Sequence, residues 1–238
     1  MIADVERVLV VAAHPDDIDF GAAGTVAAWT KAGIDVTYCV CTSGGASAVH
    51  GMAREDVPAY REAEQLAAAN EVGVTDVRFL RYQDGALAPS IELRGDITRI
   101  IRSVCPDRVL AWSPEINWDH PVTSHPDHRA SGEAALAAVF PAAGNPYAHP
   151  GLLEVEGLDA WTVRELWIAD GPPWLRNHAV DITHTFENKL AALRAHRSQT
   201  GHTSGLEAGL RQHFQGRARQ HGMPQDRIAE DFQVVRMG

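Results

Sequence analysis

Two short strings hold the residue types that bind a metal ion and move protons. His14-Pro15-Asp16-Asp17 stands near the amino end, and His125-Pro126-Asp127-His128 lies in the middle of the chain. A hydrolytic zinc site takes three protein ligands from His, Asp or Glu and keeps one position for water. His14 and Asp17, three positions apart on one side of a turn, can chelate one ion. One histidine of the second string completes the set. Asp16 then remains as a free carboxylate beside a ligand, placed to act as general base. One histidine also remains, and its imidazolium could stabilise an oxyanion or protonate a leaving group. The parts add up to metal-assisted hydrolysis. The expected ion is zinc, although a His-Asp-His set with open positions also accepts Fe(II), Co(II) or Mn(II).

The two strings can meet only if the fold brings them together. Arg7–Ala13 is an apolar, β-rich run that stops at His14-Pro15. Asp35–Thr42, Val77–Leu80 and Arg108–Trp112 read as further strands. Between them lie helical patterns over Phe20–Ala32, Val57–Glu71 and Ser90–Val104, the last with Ser90 as N-cap. His125–Phe140 follows as a fourth helix. This β-α alternation predicts an α/β, Rossmann-like three-layer sandwich with a mostly parallel sheet and right-handed crossovers. Loops after parallel strands emerge at one edge, where ligands bind. His14–Asp17, Ser43-Gly44-Gly45, Asp84 and His125–His128 are all predicted there. Glu165–Ala169 and Ala179–Ile182 are later strand candidates, and Glu187–Arg197 and Gly205–Arg219 later helices. No linker is visible, so residues 1–238 read as a single domain whose C-terminal third elaborates the same fold.

Composition narrows the classes. The chain has 238 residues, 45% hydrophobic, with 21 basic against 31 acidic side chains and a net charge of −10. A nucleic-acid partner needs a basic footprint that is missing here. No stretch approaches the roughly 20 apolar residues of a membrane helix. The first residues lack the basic-then-apolar pattern of a secretion signal. Cys39, Cys41 and Cys105 are an odd count, two of them inside an apolar run, and read as free thiols. These features predict a cytoplasmic protein with a small-molecule substrate. They allow a homo-oligomer without specifying one.

The strings also carry a resemblance. AHPDDIDFGAAGT (Ala13–Thr25) resembles the signature of the LmbE-like, or PIG-L, family of zinc-dependent N-deacetylases, and HPDHRA (His125–Ala130) resembles its second motif. Arg61-Glu62-Ala63-Glu64, Asp84-Gly85 and the late KLAALRAHRSQ (Lys189–Gln199) are similar to further family pieces, in order, over roughly residues 7–200. The resemblance implies that His14, Asp17 and His128 hold zinc and that Asp16 is the general base. It implies that His125 assists the oxyanion or the leaving amine, and that Asp127 orients the histidine pair. Arg61 and Asp84 would contact sugar hydroxyls. The implied substrate is an amino-sugar conjugate that loses its N-acetyl group. This chain departs from many members in having Ile18-Asp19 after the two aspartates, and no aromatic hydroxyl in Val122-Thr123-Ser124.

Plainer readings compete. Either string could be a turn that caps the following helix. Arg61 and Glu64 could be an exposed i,i+3 pair. Asp84 before Gly85 could be turn chemistry alone, and His196 could simply favour a helix C-terminus. Trp29, Trp112 and Trp167 read as core; Trp118 and Trp174 read as loop residues. Two other functions fit the pattern: an amidase cleaving a larger amide such as a thiol conjugate, or a non-catalytic sugar- or nucleotide-binding module on the same fold.

Overall fold

The computed structural model describes residues 5–237. Its elements are β1 Arg7–Ala12, α1 Asp17–Gly21, α2 Ala23–Lys31, β2 Asp35–Thr42, α3 Val57–Glu71, β3 Asp76–Tyr82, α4 Ile91–Val104 and β4 Arg108–Trp112. There follow α5 Pro126–Ala137, α6 Pro150–Glu154, β5 Glu165–Ala169, β6 His178–Asp181, α7 Phe186–Ala195, α8 Arg197–Thr200, α9 Leu206–Gln220 and β7 Ala229–Arg236.

The strands form one sheet in the order β3-β2-β1-β4-β5-β7-β6. The first five pair in parallel. β7 runs antiparallel to both β5 and β6. A central parallel strand is covered on both faces, so it must be apolar on both. β1 shows this directly. Val8, Val10 and Ala12 pack with Ile18, Val26 and Trp29 on one face. Leu9, Val11 and Ala13 pack with Leu93, Ile97 and Ile101 of α4 on the other. The three-layer architecture expected from the alternation is therefore present. Cys39 and Cys41 sit buried in β2, and all three cysteines are free.

Local signals set several boundaries. The Ser90 side chain accepts the Leu93 N–H at 3.2 Å and opens α4. Gly73, at φ +80°, closes the turn after α3, where a side chain would be strained. The expected helix over 20–32 instead begins at Asp17 and breaks at Ala22 (φ −145°, ψ 2°). The stretch expected as a loop after Phe140 holds the short α6. β7 is absent from the sequence pattern because Glu230 and Asp231 stand at its start, and acidic residues are depleted in strands. Tertiary pairing overrides that: Glu230 is fully buried against Lys189 at 2.8 Å.

The strand order fixes where chemistry can occur. The chain moves outward from β1 to β3, then returns to place β4 on the other side of β1. Loops leaving β1 and β4 diverge at this switch point and leave a crevice above the carboxyl edge.

Candidate active site

Both strings lie at that crevice. The rings of His14, His125 and His128 form a triangle, with centroids 5.1, 5.2 and 5.4 Å apart. Ring nitrogens of all three lie within 4.8 Å of one another. Asp17 opens α1 and turns its carboxylate back into the loop. Its Oδ2 accepts the Ala13 and His14 N–H groups at 3.1 and 2.8 Å. The same carboxylate lies 3.5 Å from His14 Nδ1 and 3.0 Å from His128 Nε2.

Outer contacts assign the tautomers. His14 Nε2 is 3.1 Å from both Asp84 Oδ1 and Asp127 Oδ2, so it carries the proton and Nδ1 presents a lone pair. His128 Nδ1 is 3.2 Å from the Thr123 carbonyl, which leaves the lone pair on Nε2. Two lone pairs and a carboxylate therefore face one another. Such a cluster of acceptors needs a cation at its centre, and this donor set fits a divalent metal. Without one, the histidines attract protons. Burial lowers the His14 pKa, but hydrogen bonds to Asp17 and Asp84 outweigh it and push it up to about 11. Burial opposes and Asp17 favours protonation of His128, with a net rise. Burial likewise raises the Asp17 pKa, yet the two histidines hold it far below the usual carboxylate range.

His125 differs from its neighbour. It is the N-cap of α5, and its Nδ1 accepts the Asp127 N–H at 3.2 Å. Its neutral ring must then carry the proton on Nε2, which makes it a donor. The Asp127 carboxylate is almost fully buried and accepts the Gly85 and Leu87 N–H groups at 2.7 and 3.1 Å. It meets His14 rather than the histidine pair of its own string, which it touches only through its backbone N–H.

Asp16 caps α1 in the left-handed region at φ +92°. Its backbone N–H donates to Gln65 Oε1 at 2.9 Å. Burial and the adjacent Asp17 charge push its carboxyl up to about 7, against the pull of Arg61, His196 and His14. Arg61 is 3% exposed and does not pair with Glu64. Its Nη2 donates to the Pro15 carbonyl at 2.5 Å and lies 3.2 Å from Asp16 Oδ2. Its Nη1 donates to Ser47 Oγ and to the Gly44 carbonyl at 2.8 and 3.3 Å. Its Nε is buried without a partner. The four Nη N–H groups of Arg61 are thus directed at protein acceptors.

Three residues without a sequence-stated role complete the support. Gln65 bridges Asp16 to Asp19, donating to Asp19 Oδ2 at 2.8 Å. His196, fully buried, meets the same oxygen at 2.8 Å. Ser198 donates to Glu64 through its backbone and its hydroxyl. The His-x-Ser-Gln string was the available signal, but its partners lie on α1 and α3, far off in sequence. The cleft over these groups encloses about 360 Å³, lined by His14, Asp16, Ala46, Ser47, Arg61, Asp84, Val122, His125, His128 and Gln199.

Comparison with known proteins gives this geometry a family. The family model described as PIG-L, GlcNAc-PI de-N-acetylase, matches residues 9–139. The chain belongs to this family. It is 33% identical over 199 residues to diacetylchitobiose deacetylase of Thermococcus kodakarensis, covering 82% of this chain and 71% of the relative. It is 35% identical over 202 residues to a probable N-acetyl-alpha-D-glucosaminyl L-malate deacetylase 2 of Bacillus cereus, covering 82% and 84%. The solved structure of N,N'-diacetylchitobiose deacetylase from Pyrococcus horikoshii, complexed with its inhibitor MPG, superposes with a TM-score of 0.86 at 30% identity. That match covers 98% of this chain and 85% of the other.

Proposed function

We propose that this chain is a metal-dependent N-deacetylase that removes the acetyl group from an N-acetylglucosamine-type sugar conjugate. The observation that carries the metal assignment is the convergence of the His14 Nδ1 lone pair, the Asp17 carboxylate and the His128 Nε2 lone pair. These three would hold zinc, with Fe(II) or another divalent ion as substitutes. When bound, the ion would polarise the acetyl carbonyl and lower the pKa of a water.

The chain's own residues do the rest. Asp16 takes the proton as water attacks the acetyl carbon. His125 directs its Nε2–H at the oxygen that gains charge, where a preorganised donor is worth most. Asp16 then returns the proton to the nitrogen as the C–N bond breaks, giving acetate and a free amine. Asp127 and Asp84 fix the His14 ring by accepting from its Nε2–H. Asp84 also faces the cleft, where its remaining lone pairs can accept a sugar hydroxyl. Arg61 acts on Asp16 rather than on the sugar, holding the base beside its own guanidinium. The three free thiols support a cytoplasmic setting. Among the described residues no helix is long and apolar enough to cross a membrane.

The test is metal content by elemental analysis of untagged protein, for wild type and His128→Ala, with acetate release on a panel of N-acetylglucosaminides. Near-stoichiometric metal and acetate release in wild type, both lost in the variant, are expected. Absence of metal in wild type after incubation with zinc overturns the proposal.

A further inference from the structure

Asp16 pairs its chemistry with a strained backbone. At φ +92° it lies in the left-handed region, which a non-glycine residue enters at a cost and keeps only where its surroundings hold it. Both peptide units that flank its Cα are held. The unit behind it, Pro15–Asp16, is trans and is gripped at both ends. Arg61 Nη2 donates to the Pro15 carbonyl at 2.5 Å, and the Asp16 N–H donates to Gln65 Oε1 at 2.9 Å. The unit ahead presents the Asp16 carbonyl, which accepts the Asp19 and Phe20 N–H groups of α1 at 2.9 and 3.0 Å. With both planes fixed, the direction of the Asp16 Cα–Cβ bond is fixed as well.

The grip on Pro15–Asp16 comes from one place. Arg61 and Gln65 stand four positions apart on α3 and so share a face of that helix. Gln65 is fully buried and does not line the cleft. Its amide has a defined direction. An N–H only donates and an ionised carboxylate only accepts. The amide oxygen must therefore face Asp16 N–H, and Nε2 must face Asp19 Oδ2, which it meets at 2.8 Å. His196 Nε2 meets the same Asp19 oxygen at 2.8 Å, and both of these residues are fully buried. Asp19 and His196 thus keep the Gln65 amide the right way round, away from competing water.

We infer that Gln65 is a positioning residue: together with Arg61 it holds the Pro15–Asp16 peptide in the orientation that aims the Asp16 carboxylate into the cleft. Its catalytic consequence rests on the deacetylase reading, in which Asp16 is the base. Gln65 touches no reacting atom. It acts only through the residue whose backbone it holds.

The test uses zinc-loaded wild type, Gln65→Met, Asp16→Asn and the double variant, with acetate release from the panel of N-acetylglucosaminides. Methionine matches glutamine in length and adapts to its surroundings. Asp19 keeps His196, so no buried carboxylate is stranded and the variant folds. Gln65→Met should lower kcat about 10- to 100-fold, the size of a base displaced by up to about 1 Å. KM should stay within about twofold, and metal content should not change. In the Asp16→Asn background the same substitution should cost less than about twofold, because no base is left to position. Hydrogen exchange of the Asp16 amide, read by NMR without substrate, should quicken about tenfold or more. Gln65→Asn keeps the amide but not the reach, and carries the same expectations if the methionine variant does not fold. A loss of equal size with and without Asp16, a raised KM with kcat preserved, or an unchanged Asp16 exchange rate overturns the inference. The two readings fail separately. Faster Asp16 exchange in Gln65→Met with no acetate from wild type keeps the grip and defeats the deacetylase. Asp16-dependent acetate release that is indifferent to Gln65 does the reverse.

Discussion

Arg61→Lys tests whether this arginine serves the base or the substrate. In the structure Arg61 satisfies four acceptors with four N–H groups: Pro15 O, Gly44 O, Ser47 Oγ and Asp16 Oδ2. Lysine keeps the charge but loses the planar fork. One ammonium can reach Asp16 and one carbonyl, which leaves two acceptors without their donor. Each costs about 1–3 kcal/mol when buried, so about 3 kcal/mol is expected in total. For a protein of this size that lowers Tm by about 6–12 °C. The loops carrying Asp16 and Gly44 then lose their common anchor. A base displaced by about 1 Å costs about 100-fold in rate, so kcat should fall about 10- to 100-fold while KM moves less than about threefold. Steady-state acetate release and differential scanning calorimetry read both quantities. A KM raised about tenfold or more with kcat preserved would refute the argument, because it would mark Arg61 as a ground-state substrate ligand. Gly44 belongs to the same arrangement: at φ +68°, a Cβ there would lie 2.2 Å from Arg61 Nη1.

Other outcomes follow from single contacts. Asp16→Asn should cut turnover at least about 100-fold, in line with loss of a general base, with metal content unchanged; parallel loss of metal would contradict the role. Asp107 accepts the Glu6 and Arg7 N–H groups and Arg164 Nη2 at 2.8, 3.1 and 2.7 Å. Burial pushes its carboxyl up, but these donors win and hold it below its ordinary value. Its contribution is therefore complete above the unfolded carboxylate range and is lost as pH falls through the lower folded value. Wild type should lose stability more steeply than Asp107→Asn between about pH 5 and 2, measured by urea unfolding; equal slopes would count against this. Lys189→Met should destabilise by about 3–5 kcal/mol by stranding the buried Glu230. Adding Glu230→Gln should recover part of that loss, and a single variant within about 1 kcal/mol of wild type would oppose the assignment.

How much could be read in advance depends on the range of the interactions. β1, β2 and β4 announce themselves as continuous apolar runs, because a doubly covered parallel strand leaves no polar face. α3 matches its expected bounds residue for residue, because Pro58 near its start and Gly73 after its end are local signals. β7 was missed, since the partner that neutralises Glu230 is Lys189 on another element. The split of α1 from α2 was missed for a similar reason: Asp16 and Asp19 are held by Gln65 of α3 and by His196 after α7.

The same boundary divides the site. Residue types and their placement after β1 and β4 were sufficient to predict a shared crevice, a His-Asp-His donor set and a spare carboxylate, because parallel connectivity sends those loops to one edge. Which histidine donates a lone pair and which a proton depends on what the far ring nitrogen touches: Thr123 for His128, the Asp127 amide for His125. Arg61 likewise acquires its partners from two loops that no spacing rule connects. A local sequence fixes which groups exist and the element that carries them. Hydrogen bonds formed only after long-range packing decide their protonation, their direction and the residues they serve.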